Sequence, residues 1–286
     1  MTASLSLTDK QIEQYFATLG VTPNAASLAT LNTIIARHIS RFTFASISPI
    51  LGDPMPLDLQ SVYDRLITRK RGGYCYEHNG LLFHILSRIG YDLIPVMARV
   101  VYHLDHPYVH APLTHRTNLV RIDGELYLCE AGFSGFAQRH CIRLSDDEAD
   151  AQARVVQGSA GDWHYQCKRQ HGYHSMFRFD LGPVEDADFE LGHFWSHRHP
   201  NAVFVNNVVA SRIHSDHVVS LRNTMLVHEP LLGHGKVDEI TDADQLRQIL
   251  AEIFDILVTH TEADRLLDRA AKAASRPTGP TVTEDE

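Results

Sequence analysis

The hydrophobic period of this chain changes at Gly90, and that change constrains the fold more than any other feature. Before it, apolar residues recur every three to four positions behind helix-capping side chains. Thr8 with Gln11 reads as a capping box, and Ile12, Tyr15, Phe16 and Leu19 share one face before Gly20. Ser27 opens a second pattern through Leu28, Leu31, Ile34 and Ile35, and Asp58 a third through Leu59, Val62, Tyr63 and Leu66. A fourth begins near Cys75, runs through Leu81, Leu82, Ile85, Leu86 and Ile89, and stops at Gly90. Residues 1–90 are therefore expected to form a small helical bundle.

Beyond Gly90 the runs are short and rich in Val, Ile, Tyr and Phe. They predict strands over 93–102, 119–122, 125–128, 163–168 and 175–179, with Asp123-Gly124 as a two-residue hairpin turn. Such a succession predicts an antiparallel sheet or barrel over 91–190. Residues 191–275 are mixed: strands over 203–211 and 218–227, then helices over 241–254 and 261–275, the last with Leu246, Ile249, Leu250 and Ile253 of the preceding helix facing a core. The Pro-, Thr- and acid-rich stretch 276–286 reads as a disordered tail. The fold class expected is α+β and multidomain.

Of the 286 residues, 26 are Lys or Arg and 35 Asp or Glu, a net charge of −9, which argues against wrapping a phosphate backbone. No apolar run approaches a membrane span, and the polar first residues lack the pattern of a secretory signal. A cytoplasmic enzyme that binds neither nucleic acid nor membrane is the expectation. The four cysteines form no CxxC pair and no disulfide framework, so reduced thiols are expected.

The densest signal is Arg71-Gly72-Gly73-Tyr74-Cys75-Tyr76-Glu77-His78-Asn79-Gly80. Two glycines permit a tight turn, and the helix that follows puts Cys75 in its first turn, where unpaired N–H groups and the helix dipole favour a thiolate. A sulfur nucleophile needs a histidine and an acid to orient it. His115 opens the hairpin strand in Leu113-Thr114-His115-Arg116, and Glu130 follows the return strand in Leu128-Cys129-Glu130-Ala131-Gly132-Phe133. The turn at Asp123-Gly124 brings their neighbourhoods together. Alone, Cys75 reads as a small core residue, His115 as a strand-edge histidine and Glu130 as a solvated acid; the constellation outweighs its members. The histidines at 103, 106, 110 and 115, and at 193, 197 and 199, match no metal-binding spacing, and Gly233-His234-Gly235-Lys236-Val237 lacks the P-loop hydroxyl.

The segment around Cys75 resembles the active-site signature of arylamine N-acetyltransferases. The resemblance continues through Thr114-His115, the Asp123-Gly124 hairpin, Gly132-Phe133, Phe189-Glu190, His199-Pro200 and Phe204-Val205-Asn206-Asn207. It implies a helical domain, a β-barrel and an α/β lid, with a cysteine-protease-like Cys-His-acid core of Cys75, His115 and Glu130 between the first two. It implies ping-pong transfer of acetyl from acetyl-CoA, as co-substrate, to an arylamine, arylhydrazine or arylhydroxylamine, without metal or prosthetic group, by a monomer or homodimer. By position Phe44, Phe133 and Phe204 would line the acceptor pocket and Thr114 would touch CoA. An amide synthase on the same scaffold, or a papain- or transglutaminase-like hydrolase, would use the same three residues. The chain departs from the family pattern at Glu130, where aspartate is usual, and at Ser134, where the second glycine of Gly-Phe-Gly stands. It departs again at Thr43-Phe44-Ala45-Ser46-Ile47 in place of Pro-Phe-Glu-Asn-Leu, which predicts that Arg71 lacks its acid partner.

Overall fold

The computed structural model of the chain describes residues 6–23, 25–102, 104, 110–144, 151–230 and 234–274. The stretch 276–286, His103, His106 and Gly233 lie outside the described residues. No helix among the described residues is long and apolar enough to cross a membrane.

The N-terminal helices begin where side-chain caps place them. Thr8 caps α1 (Asp9–Leu19), with both bonds of the capping box to Gln11, and Ser27 caps α2 (Leu28–Arg41). A two-residue strand, β1 (Phe44–Ala45), and a short helix, α3 (Ile47–Leu51), follow. Asp58 caps α4 (Leu59–Tyr63), which continues into a π-helical turn over Asp64–Thr68 before α5 (Cys75–Arg88). Leu31, Ile34, Ile35, Leu81, Leu82 and Ile85 are all fully buried between these helices. Each removes about 1.5–3 kcal/mol worth of apolar surface from water, which holds α5 rigidly in the bundle.

Seven antiparallel strands form the second layer: β2 (Asp92–Val100), β3 (Leu113–Ile122), β4 (Glu125–Cys129), β5 (Ile142–Arg143), β6 (Ala153–Gln157), β7 (Trp163–Arg169) and β8 (Gly172–Phe179). Their order is β5-β4-β3-β2-β8-β7-β6, and a bridge between Leu144 and Val155 ties the two edges into a nearly closed barrel. Asp123 and Gly124 both take positive φ (51° and 84°), the geometry a two-residue hairpin requires. Helix α5 lies against β3, so the bundle presents the start of α5 to the hairpin's open end.

The remainder comprises α6 (Asp186–Arg198), α7 (Val203–Asn206), β9 (Val209–Ile213), β10 (His217–Arg222), β11 (Met225–Pro230), β12 (Lys236–Glu239), α8 (Ala243–Glu252) and α9 (His260–Ala274). The second sheet runs β1-β9-β10-β11-β12, so a strand from the N-terminal region forms one edge of it. The architecture is α+β, with a helical layer, a near-closed antiparallel barrel and a second antiparallel sheet.

Two sequence expectations are corrected here, and one helix was missed. Residues 203–211 are not one strand: Asn206 and Asn207 turn their amides back onto the Ala202 and Val203 carbonyls, closing α7 before pairing begins at Val209. Residues 218–227 are two strands, because Asn223 adopts φ 55° and reverses the chain. Helix α6 was not anticipated, since Leu191, Phe194 and Trp195 are exposed and leave no apolar stripe to read.

Candidate active site

Cys75 is the first residue of α5, and the turn before it is shaped by the two glycines. Gly72 has φ 68°, and a Cβ there would sit 2.7 Å from Ala45 Cβ; a Cβ on Gly73 would sit 2.8 Å from Glu77 Cβ. Glu77 faces back and accepts the Tyr74 N–H at 3.0 Å while pairing with the Arg65 guanidinium at 2.5 Å, both side chains essentially inaccessible. This buried charge pair pins the helix start, and breaking it leaves one charge unpaired in the core.

His115 lies on β3 with its Nε2 2.7 Å from Glu130 Oε2, and the ring is packed edge-on by Phe133 and tilted against Phe177. Glu130 Oε1 accepts Asn79 Nδ2–H at 2.8 Å and the Gly132 N–H. Asn79 also donates to the Arg116 carbonyl and accepts from the Ala131 N–H, while its own carbonyl takes the Asn118 amide. One side chain of α5 thus joins the helix to both hairpin strands. Gly132 passes so close to the helix that a Cβ would lie 2.6 Å from Cys75 Cα.

Cys75 is 3% exposed, His115 2% and Glu130 4%. The Cys75 sulfur is 3.9 Å from the Thr114 carbonyl oxygen. Since Nε2 is committed to Glu130, Nδ1 is the ring nitrogen left for another partner. Burial alone would drive the His115 pKa down, but the Glu130 carboxylate and the Cys75 sulfur outweigh it and push it up to about 10. Burial would raise the Glu130 pKa, yet the His115 charge and hydrogen bond, with those from Asn79 and Gly132, hold it below the usual carboxylate value. The arrangement therefore favours a charged imidazolium beside an ionised acid, next to the Cys75 sulfur.

The aromatic residues divide between two places. Phe44 and Phe204 meet edge-on 5.7 Å apart, Phe204 stacks on Tyr74 at 4.7 Å, and this group shares a cluster with Cys75, Tyr76, Met97 and Phe189. Phe133 belongs to the barrel core and packs on His115. Two cavities of about 200 and 220 Å³, one beside Arg41, Lys70 and Asp255 and one beside Leu59 and His84, do not touch Cys75.

Arg71 does not lack an acid partner. It reaches Asp53 at 3.3 Å, Glu262 of α9 at 2.5 Å and the Leu257 carbonyl at 2.9 Å, so its charge is met from elsewhere in the chain. Ala45 fills the small space against Gly72 instead. His193, in the second histidine cluster, bonds the Tyr74 hydroxyl and the Met55 carbonyl, and among the described residues no group of three or more His, Cys, Asp and Glu side chains is placed to hold a metal ion. Sequence reasoning gave no role to Asn79 or Gly132. The signal for both was their position in the two motifs that the hairpin brings together.

The helical layer, barrel and second sheet are shared with known acetyltransferases. The N-acetyltransferase family model matches residues 27–263. The arylamine N-acetyltransferase of Escherichia coli (strain K12) is 31% identical over 206 residues, covering 70% of this chain and 72% of that protein. The structure of the arylamine N-acetyltransferase from Salmonella typhimurium superposes with a TM-score of 0.84 at 26% identity, covering 92% of this chain and 99% of that one. The fold is also that of Mycobacterium marinum arylamine N-acetyltransferase in complex with CoA, with a TM-score of 0.83 at 23% identity, covering 92% and 99%. The chain belongs to the arylamine N-acetyltransferase family and is an acetyltransferase.

Proposed function

We propose that this enzyme transfers acetyl from acetyl-CoA to an aromatic amine, hydrazine or hydroxylamine in two half-reactions, with Cys75 as nucleophile, His115 as acid and base, and Glu130 holding His115. The observation that carries the reading is the 2.7 Å bond from His115 to Glu130 inside a site where Cys75 starts a helix. The Cys75 thiolate attacks the acetyl carbonyl, the bond from that carbon to the CoA sulfur breaks, and the departing CoA takes the proton held by His115. The amine nitrogen then attacks acetyl-Cys75, its proton passes to the now neutral imidazole, and Cys75 is expelled as thiolate, restoring the starting pair. Every atom is accounted for without a further group.

The burial of Cys75 serves this sequence, because an acyl thioester survives for transfer only where water is kept away. Phe44 and Phe204 are the acceptor wall in this reading; Phe133 acts by holding the His115 ring. Thr114 presents its carbonyl to the sulfur, at the point where the pantetheine end of CoA would arrive. The relative from Mycobacterium marinum was solved with CoA, which supports the same donor here.

The test is intact-protein mass spectrometry after mixing the protein with acetyl-CoA alone. One acetyl group on Cys75, removed on adding an arylamine, is the expected result. An unmodified protein that also releases no CoA would refute the reading.

A further inference from the structure

The bundle core contains a polar chain that this reaction does not use. The Tyr15 hydroxyl is 2.9 Å from His38 Nδ1, His38 Nε2 is 2.9 Å from His78 Nδ1, and His78 Nε2 is 3.2 Å from the Thr43 carbonyl oxygen. Tyr15 and His38 are 0% exposed and His78 1%. A carbonyl only accepts, so this one atom sets the direction of the chain. His78 donates from Nε2 to Thr43, His38 donates from Nε2 to His78, and the Tyr15 hydroxyl donates to His38. Both tautomers are thereby fixed.

The chain ends at Phe44. Thr43 precedes it, and the Phe44 ring lies nearly parallel to the His78 ring, 6.3 Å between centroids and 17° between planes. The backbone here also bridges to the loop that carries the nucleophile, with the Ala45 N–H donating to the Gly73 carbonyl at 2.7 Å. His78 is one helical turn along α5 from Cys75 and so sits under the junction of β1 with that loop. An apolar bundle gains nothing from two neutral imidazoles and a phenol at its centre, because each polar atom needs a partner merely to offset its desolvation. What these three side chains supply is a defined position for one carbonyl and one ring.

We infer that the Tyr15–His38–His78 chain is a positioning device for the acceptor side of the Cys75 site, fixing the Thr43 carbonyl and the Phe44 ring so that acceptor choice depends on His78 while acetyl loading does not. The inference rests on the proposed function, in which acetyl passes through Cys75 and Phe44 walls the acceptor. His78 acts through Phe44 and touches neither sulfur nor substrate.

Two variants test it. His78→Phe keeps a ring and removes both nitrogens; His78→Gln keeps an N–H donor at the reach of Nε2. The probes are acetyl-CoA alone for loading, 4-methoxyaniline as an aromatic acceptor and hydrazine as an acceptor with no ring. His78→Phe is expected to lose about tenfold in kcat/KM for 4-methoxyaniline, chiefly through KM, with loading and hydrazine transfer within about twofold of the parent. His78→Gln recovers most of the loss. An equal fall in all three readouts, as from general loosening, overturns the inference, as does an unchanged 4-methoxyaniline value. Should His78→Phe fail to fold, Tyr15→Phe opens the chain two links from Phe44: a selective loss with 4-methoxyaniline supports the inference, and an unchanged ratio between the two acceptors overturns it. A parent protein that takes no acetyl from acetyl-CoA overturns the proposed function first, and is distinguished by failing before any variant is compared.

Discussion

Glu130→Gln changes one atom of the site and bears on its whole logic. Oε1 of Glu130 receives N–H groups from Asn79 and Gly132, and Oε2 receives the His115 Nε2–H. An amide must place its oxygen where the two donors converge, so its NH2 turns toward His115. His115 then has to present Nε2 as an acceptor, its proton moves to Nδ1, and the side facing Cys75 loses the lone pair that takes the thiol proton. Burial lowers the His115 pKa, and the Glu130 carboxylate, with the Cys75 sulfur after it, supplies the opposing support that pushes it up to about 10. Losing the larger part of that support together with the correct tautomer should slow acetyl loading about 10²–10⁴-fold at neutral pH. Rapid-quench mass spectrometry of acetyl-Cys75 measures this directly. A variant that loads within about threefold of the parent would show that Glu130 does not set the state of His115.

Further outcomes follow from other contacts. Gly132→Ala should lower loading about 100-fold or more, since its Cβ would fall 2.6 Å from Cys75 Cα, whereas Gly135→Ala meets only Val218 Cγ1 at 3.3 Å and should stay within about twofold by the same assay. Arg71→Met removes the link to Asp53, Glu262 and the Leu257 carbonyl and should cost about 1–3 kcal/mol, seen by calorimetry as a fall in Tm of several degrees; an unchanged Tm would refute a bracing role. Burial lowers the pKa of His38, and His78 lowers it further; burial also lowers that of His78, despite the facing Glu77 and Glu130 charges. Both rings are neutral when folded, so their contribution is complete above pH about 6.5 and is lost as pH falls below it. The His115 pKa is raised, so its contribution is complete below the unfolded value and is lost as pH rises through about 10. Tm should therefore decline on both sides of neutrality, and a Tm that climbs steadily from pH 7 to 5 would contradict the assignment of the buried pair.

The legible parts of the chain were those governed by neighbours in sequence. Thr8, Ser27 and Asp58 announced their helices because a cap is a contact over three residues, and Asp123-Gly124 announced its hairpin because positive φ is a local demand. The hairpin in turn made His115 and Glu130 legible as neighbours. Residues 203–211 misled because Val, Phe and Val favour a strand, while the outcome was decided by amides of Asn206 and Asn207 reaching back to carbonyls. The partners of Arg71 were illegible because Glu262 belongs to a helix brought near only by the complete fold. His38 carried no signal either: on the apolar face of α2 it looks like any misplaced polar residue until His78 arrives from another helix.

The pairing of Phe44 with Ser211 sets an order of events during synthesis. Strand β1 leaves the ribosome early and gains only a single bridge, to Gly73, until β9 has been made, after the entire barrel. A nascent chain can close the bundle and even the barrel around Cys75 while the edge of β1 that takes β9 is still open. Translation arrested in that interval leaves an open strand edge available to other chains until β9 closes it.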